Sequence, residues 1–407
     1  MSGATQTATR TVVTGLGVVA PNGVGLDAYW DATLTGRSGL RRLTRFDPSQ
    51  YPVQHGGEVL DFTPRPAVPG RLMPQTDRVT QFSLAATGWA LDDAALDLAA
   101  LGLYDVGIVT SNACGGYEFG HRELQKLWSD GPHRVSAYQS FAWFYAVNTG
   151  QLSIRHNVRG HSSVVVTEQA GGLDALNHAR RLLRNGTLKV AIAGGMEAPL
   201  CPWGLTGQIP TGRLSRAGAY LPFHRAASGY LPGEGGAMLT IEDAEGARSR
   251  GAHVYGELAG YAATFDPAPG TGRPSALPRA IRGALDDARL EPADVDVVLA
   301  DAGGLPELDT TEARAISEVF GPRGVPVAAP KSLTGRLYSG GGPLDVTTAL
   351  LMIRDGVIPA VPYESDIPDE YEIDLVAGEP RRHPVRNTLV IARGNGGFNS
   401  ALVVRAA

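Results

Sequence analysis

The chain has 407 residues, 43% hydrophobic and 19% charged, with a formal net charge of −5. At this length that composition describes a soluble globular protein with two core units or one large layered body. The acidic balance with no basic tract argues against nucleic acid as a partner, and the lack of any run of about 18 apolar residues argues against a membrane span.

The leading residues MSGATQTATR have no apolar signal region, so a cytoplasmic protein is expected. TVVTGLG (11–17) reads as a first buried strand. The overlapping GLGVVA (15–20) fits a dinucleotide-binding fingerprint, but Pro21-Asn22-Gly23 breaks the helix such a motif needs, and nucleotide binding is set aside. DVGIVTSNACGG (105–116) is a second strand, carrying one of only two cysteines, Cys114 and Cys201, a number that suits a reducing compartment. YEFGHRELQKLW (117–128) reads as a helix with Tyr117, Gly120, Leu124 and Trp128 on one face; a glycine in mid-helix costs about 1 kcal/mol against alanine and needs a packing reason. SFAWFYAVNTG (140–150) crowds Phe141, Trp143, Phe144 and Tyr145 together, as either a core or an interface does. His156 and His161 read as solvated side chains on a loop, not as metal ligands.

SSVVVTEQAGG (162–172) is the most informative stretch: a β-branched strand, a tight turn at Thr167, then apolar residues at helical spacing until Asn185-Gly186. Strand, turn and helix start form the elbow on which α/β enzymes seat a nucleophile, yet Gln169 stands at its tip, and a carboxamide is no substitute for a thiolate. Arg180, Arg181 and Arg184 follow on the helix as a solvated face or a contact for an acidic partner. LKVAIAGG (188–195) closes a first set of strands; DVDVVLADAGG (294–304), VPVAAPKS (325–332), NTLVIARGNGG (387–397) and ALVVRA (401–406) form a second. Helical patterns at 275–290 and 343–356 lie between them. This alternation predicts an α/β class protein of two related halves, 9–243 and 252–406, packed as one body.

Residues 167–173, Thr-Glu-Gln-Ala-Gly-Gly-Leu, resemble the T-A-C-S-S-x-L elbow of the thiolase-fold β-ketoacyl synthases. RTVVTGLGVVAPNG (10–23), YLPFHRAASGYLPGEGG (220–236) and GNGGFNSALVV (394–404) resemble that family's opening strand, its G-E-G segment and its terminal glycine loop. Its two histidine motifs align with Ala300-Asp301-Ala302-Gly303-Gly304-Leu305-Pro306, ending at Asp309 and Glu312-Ala313, and with Lys331-Ser332-Leu333-Thr334-Gly335-Arg336. Cysteine, histidine and histidine have become Gln169, Asp301 and Arg336, while Lys331, Asp309 and Glu312 remain. With glutamine at the elbow, the chain resembles the chain-length factors, β subunits of bacterial type II aromatic polyketide ketosynthases.

The resemblance implies a thiolase-like layered αβαβα fold with two pseudo-symmetric halves. It also implies a Cys-bearing α ketosynthase subunit as partner in a heterodimer, no directly bound cofactor and no metal. An acyl carrier protein visits with its phosphopantetheine arm, and a growing poly-β-ketone chain fills the tunnel. Condensation by this chain alone is not expected, since loss of a nucleophile costs on the order of 10⁴–10⁶ in rate. Asp301 and Arg336 are expected to form an ion pair plugging the relict site, with Gln169 hydrogen-bonded to it and Lys331 tied to a nearby acid such as Glu312. Tyr117, Gly120 and Leu124 are expected to gate the tunnel, with Gly120 opening space for a long product. The aromatic cluster at 141–145 then reads as the interface. The competing reading is a malonyl-acyl carrier protein decarboxylase that supplies an acetyl primer, the Gln169 amide polarising the thioester.

Overall fold

A computed structural model describes residues 9–407 except 269 and 365; residues 1–8, on which the signal-peptide reading mostly rests, lie outside it. Five strands build the first half: β1 (Thr11–Ala20), β2 (Val106–Ser111), β3 (Ser162–Val165), β4 (Val190–Glu197) and β5 (Gly235–Asp243). Five more build the second: β6 (Gly256–Phe265), β7 (Val297–Leu299), β8 (Pro326–Ala328), β9 (Asn387–Gly394) and β10 (Phe398–Arg405). The order across the sheet is β1-β5-β4-β2-β3 in one half and β6-β10-β9-β7-β8 in the other, the same ranks in both. Parallel and antiparallel pairings repeat as well: β1–β5 and β6–β10 are antiparallel, β2–β3 and β7–β8 parallel. That repeated topology is the internal duplication sequence comparison leaves faint. The halves join where β1 and β6 pair through Val12–Glu257 and Val13–Gly256, giving one sheet that has twelve strands among the described residues when two short edge pieces, Gly23–Val24 and Asp374–Leu375, are included.

Seven helices matter here: α1 (Arg78–Asp93), α2 (Tyr117–Asp130), α3 (Val147–His156), α4 (Gly171–Arg184), α5 (Leu277–Ala288), α6 (Pro306–Phe320) and α7 (Gly341–Asp355). α4 and α7 form the central layer, where Leu173, Leu176, Leu344 and Leu350 share one core with Leu239 of the first half and Val390 of the second. α1 covers the outer face of the first half through Phe82. α5 and α6 cover the second through Ile281, Leu285 and Ile316. β9 shows why its sequence is a continuous apolar run: Val390 and Ala392 face the central core, Leu389 and Ile391 the outer one. α7 is buried from Gly341 to Met352, so it has no polar face to lose.

The dinucleotide-like glycines have a packing explanation. GLGVVA lies wholly within β1, and a Cβ on Gly15 or Gly17 would sit 2.0 or 1.9 Å from the carbonyl oxygen of Ala90 or Ala86 on α1. Among the described residues, no helix is long and apolar enough to cross a membrane.

Candidate functional site

β3 ends at Val165, Glu168 takes a left-handed φ of 54°, and a short 3₁₀ turn over Glu168–Ala170 leads into α4. The elbow therefore keeps its strain even though Gln169 has replaced a nucleophile. Gln169 is fully buried, and neither of its amide atoms has a hydrogen-bond partner among the described residues. Its amide points at α7: a Cβ on Gly341 would lie 2.3 Å from Gln169 Nε2. A cavity of about 10 Å³, the size of one water, lies beside it between Lys331, Thr334 and Asp345.

Asp301 follows β7, and Arg336 follows the turn after β8. Arg336 Nη1 donates to Asp301 Oδ2 at 3.1 Å, with both side chains buried. This ion pair falls within the 4 Å that a salt bridge allows. Asp301 Oδ1 accepts the Arg393 N–H at 2.8 Å, and Arg336 Nη2 donates to the Arg393 carbonyl and lies 3.7 Å from Glu168 Oε2. Burial disfavours the Arg336 charge, but Asp301 and then Glu168 more than offset that and hold its pKa well above the usual value. The guanidinium also lies 5.3 Å from the centre of the Tyr230 ring.

Two details differ from expectation. Gln169 is not bonded to the pair, because Arg336 spends its second nitrogen on the Arg393 carbonyl while the Gln169 amide faces α7. Lys331 pairs with Asp345 on α7, Nζ to Oδ2 at 2.8 Å, and donates to the Ala300 carbonyl, so Glu312 is not its partner. Glu312 instead accepts the backbone N–H groups of Asp301 at 2.6 Å and Ala302 at 2.8 Å, and so shapes the loop that presents Asp301. Burial, reinforced by the Asp301 charge, pushes the Glu312 carboxyl up to about 7. Asp309 is raised to about 7, again chiefly by burial, and accepts from Phe223 and Gly304 N–H groups.

A cavity of about 260 Å³ opens to this plug from outside, between Arg213, Arg393, Phe398 and the 394–397 glycine loop. Asp301 and Arg336 form its floor, and Gln169 is not part of its lining. Whatever enters there meets the ion pair and not the amide.

The residues expected to gate the tunnel lie on one helix, α2: Gly120 is buried, and Tyr117 and Leu124 are half-buried. Gly120 does not leave open space, however. Trp203, missed by the sequence reading, stacks on Tyr117 with ring centroids 5.0 Å apart, and a Cβ on Gly120 would sit 2.6 Å from Trp203 Cζ3. The glycine makes room for a tryptophan of this same chain. Trp128, also on α2, is 83% exposed.

In the aromatic cluster, Trp143, Phe144 and Tyr145 are 44%, 38% and 39% exposed and Phe141 is half-buried, which rules out a core role for most of it. Arg180 is no contact for an acidic partner: it is buried, donating to the Leu258 carbonyl at 2.8 Å and to Asp287 at 2.7 Å. His156 is not on a loop but ends α3, half-buried, with burial lowering its pKa to about 4. His161 Nε2 lies 3.1 Å from His178 Nε2.

Comparison with known proteins gives a consistent picture. The β-ketoacyl synthase N-terminal domain matches residues 8–247, and the C-terminal domain residues 255–362. The tetracenomycin polyketide synthase ketoacyl synthase beta subunit of Streptomyces glaucescens is 62% identical over 97% of this chain and 98% of its own. Among solved structures, the ishigamide ketosynthase/chain length factor matches with a TM-score of 0.92 at 27% identity, over 98% of this chain and 100% of that one. The structure of a type II polyketide synthase acyl-carrier protein in complex with its ketosynthase bound to the hexaketide matches with a TM-score of 0.87 at 26% identity, over the same shares.

Proposed function

Because this chain belongs to the β-ketoacyl synthase family, we propose that it is the non-condensing β subunit of a type II polyketide ketosynthase heterodimer and sets the length of the chain made there. Its fold is the thiolase-like αβαβα arrangement expected from the sequence. The observation that carries the reading is the sealed elbow. The scaffold for a nucleophile is kept, strain included, while Gln169 sits behind a buried Asp301–Arg336 pair. A Cys-bearing α subunit supplies the chemistry and docks on the exposed aromatic segment 141–145. An acyl carrier protein delivers extender units on its phosphopantetheine arm, and the poly-β-ketone grows against the Tyr117–Leu124 face of α2. We place this work in the cytoplasm, where reducing conditions suit two free thiols, Cys114 and Cys201.

The decarboxylase reading is not favoured. A malonyl thioester entering from outside would reach Asp301, whose carboxylate repels a developing enolate, before any contact with Gln169. Carbon dioxide release from malonyl-carrier protein, measured with the α partner's own activity disabled, is expected to be the same for wild type and Gln169→Ala.

The gate reading is tested in the reconstituted heterodimer by mass analysis of products. Trp203→Ala removes the ring stacked on Tyr117 and is expected to lengthen the major product. Gly120→Trp, whose first side-chain atom would collide with Trp203, is expected to push that ring outward and shorten it. An identical product profile for wild type and both variants sinks the chain-length role.

A further inference from the structure

Helix α2 is held by charges that lie off its gate face. Asp77, fully buried, caps α1 by accepting the Val79 N–H on Oδ1 at 2.9 Å. Its other oxygen, Oδ2, accepts the Phe119 N–H at 2.7 Å, one of the donors that the first turn of α2 cannot satisfy within the helix. One carboxylate thus caps two helices. Gly116, just before α2, permits the approach: a Cβ there would sit 2.9 Å from Asp77 Cβ.

A second anchor runs beside it. Glu234, fully buried at the start of β5, pairs with Arg45 Nη1 at 2.8 Å and with Arg78 Nη2 at 3.0 Å. The other arm of the Arg45 guanidinium binds Glu118, in the first turn of α2. Arg78 is the first residue of α1, so both anchors fasten the N-terminal turn of α2 to the same corner of the body. Farther along, Glu123 accepts from Lys126 Nζ of the same helix at 2.6 Å and from the Ser136 N–H, in the segment that follows the helix, at 2.7 Å. Asp77 and Arg45 both act on the first turn, so removing either changes the direction in which the helix leaves it. Leu124 lies about 10 Å along the axis from Tyr117, so a tilt of about 6° moves it by about 1 Å.

We infer that Asp77 and Arg45 are positioning residues for chain length, which set the pose of the gate helix without touching the product. The inference rests on the chain-length reading of α2 given above. A purely architectural role would lower the yield of heterodimer and leave the ratio of product lengths unchanged. A positioning role moves that ratio at equal amounts of heterodimer. Asp77→Asn keeps one acceptor oxygen and places an amide N–H against one of the two helix donors. Arg45→Met removes the bridge, and Arg45→Lys offers a point charge in place of a fork that spans two carboxylates.

The test reconstitutes each variant with the Cys-bearing subunit and malonyl-carrier protein, alongside Trp203→Ala, and compares product lengths by mass spectrometry. Asp77→Asn and Arg45→Met are expected to spread products over several lengths, raising the off-length fraction several-fold, with Arg45→Lys in between. If Trp203→Ala shifts the products while both anchor variants keep the wild-type ratio, the proposal is overturned and the chain-length reading stands. If Trp203→Ala and the anchor variants all leave the ratio unchanged, that reading fails and the proposal falls with it. Should Asp77→Asn not assemble, Arg45→Met decides alone, because Arg45 is partly exposed and Arg78 still pairs with Glu234 without it.

Discussion

Arg336→Met is expected to lower the stability of the folded chain by about 3–5 kcal/mol, the penalty for leaving a buried carboxylate without its counter-charge. Asp301 would retain only the Arg393 N–H on one oxygen, and its second oxygen would face the methionine. Glu168, 3.7 Å from Arg336 Nη2, would lose part of its compensation as well. The double variant Asp301→Asn/Arg336→Met is expected to recover most of the loss. Asparagine still accepts from Arg393 N–H, and neither position of the pair carries a charge to be desolvated. Chemical denaturation of wild type, both single variants and the double variant, with the partner subunit at one fixed concentration, gives the coupling directly. A double variant as unstable as Arg336→Met would mean that the pair is not what holds this site closed.

The elbow was legible because every part of it is local. A β-branched run, a turn and an apolar period of 3.6 residues occur within about 20 residues, and each reports its own backbone state. The Asp301–Arg336 pair was legible by another route, through alignment with the two histidine motifs, since 35 positions separate its members and no local pattern joins them. Where the reading failed, the deciding neighbour was remote or was backbone. Lys331 was matched with the wrong acid because Asp345 belongs to a helix whose approach depends on Gly341 lying against Gln169 and Gly342 against Leu173 of α4. Glu312 serves two backbone N–H groups, and composition does not reveal which N–H groups a loop leaves free.

Gly120 makes the same point on α2. Helical spacing identifies the face of a helix and shows that a glycine there needs a reason, but it does not identify what fills the gap. That is Trp203, 83 positions later in the chain. Arg180 read as part of a solvated arginine face because its neighbours at 181 and 184 are polar; its guanidinium crosses to carbonyls of Leu258 and Ala259 in the second half. The last strand of the first half, β5, and the first of the second, β6, complete the repeat and are absent from the two sets of strands read from the sequence. Once those strands are placed, the shared order of the halves is plain.

Gln169→Cys is expected to leave the chain unable to condense acyl units, at a rate on the order of 10⁴-fold or more below that of a complete catalytic set. The thiol would stand at the start of α4, where the free N–H groups and the helix dipole favour a thiolate. Position alone does not make a ketosynthase, for two reasons visible at the site. The outer cavity ends on Asp301 and Arg336, so a thioester cannot reach residue 169. Even if one did, positions 301 and 336 would offer it a carboxylate and a guanidinium locked to each other, in place of two free imidazole donors. Adding Asp301→His and Arg336→His to Gln169→Cys removes the barrier and supplies those donors together. That triple variant is expected to become acylated at residue 169 by an acyl-carrier protein thioester, seen as a mass shift on the peptide, while the single variant stays unmodified. If the single variant is acylated as fast as the triple, the ion pair is no seal, and the silence of this subunit would have to come from the missing cysteine alone.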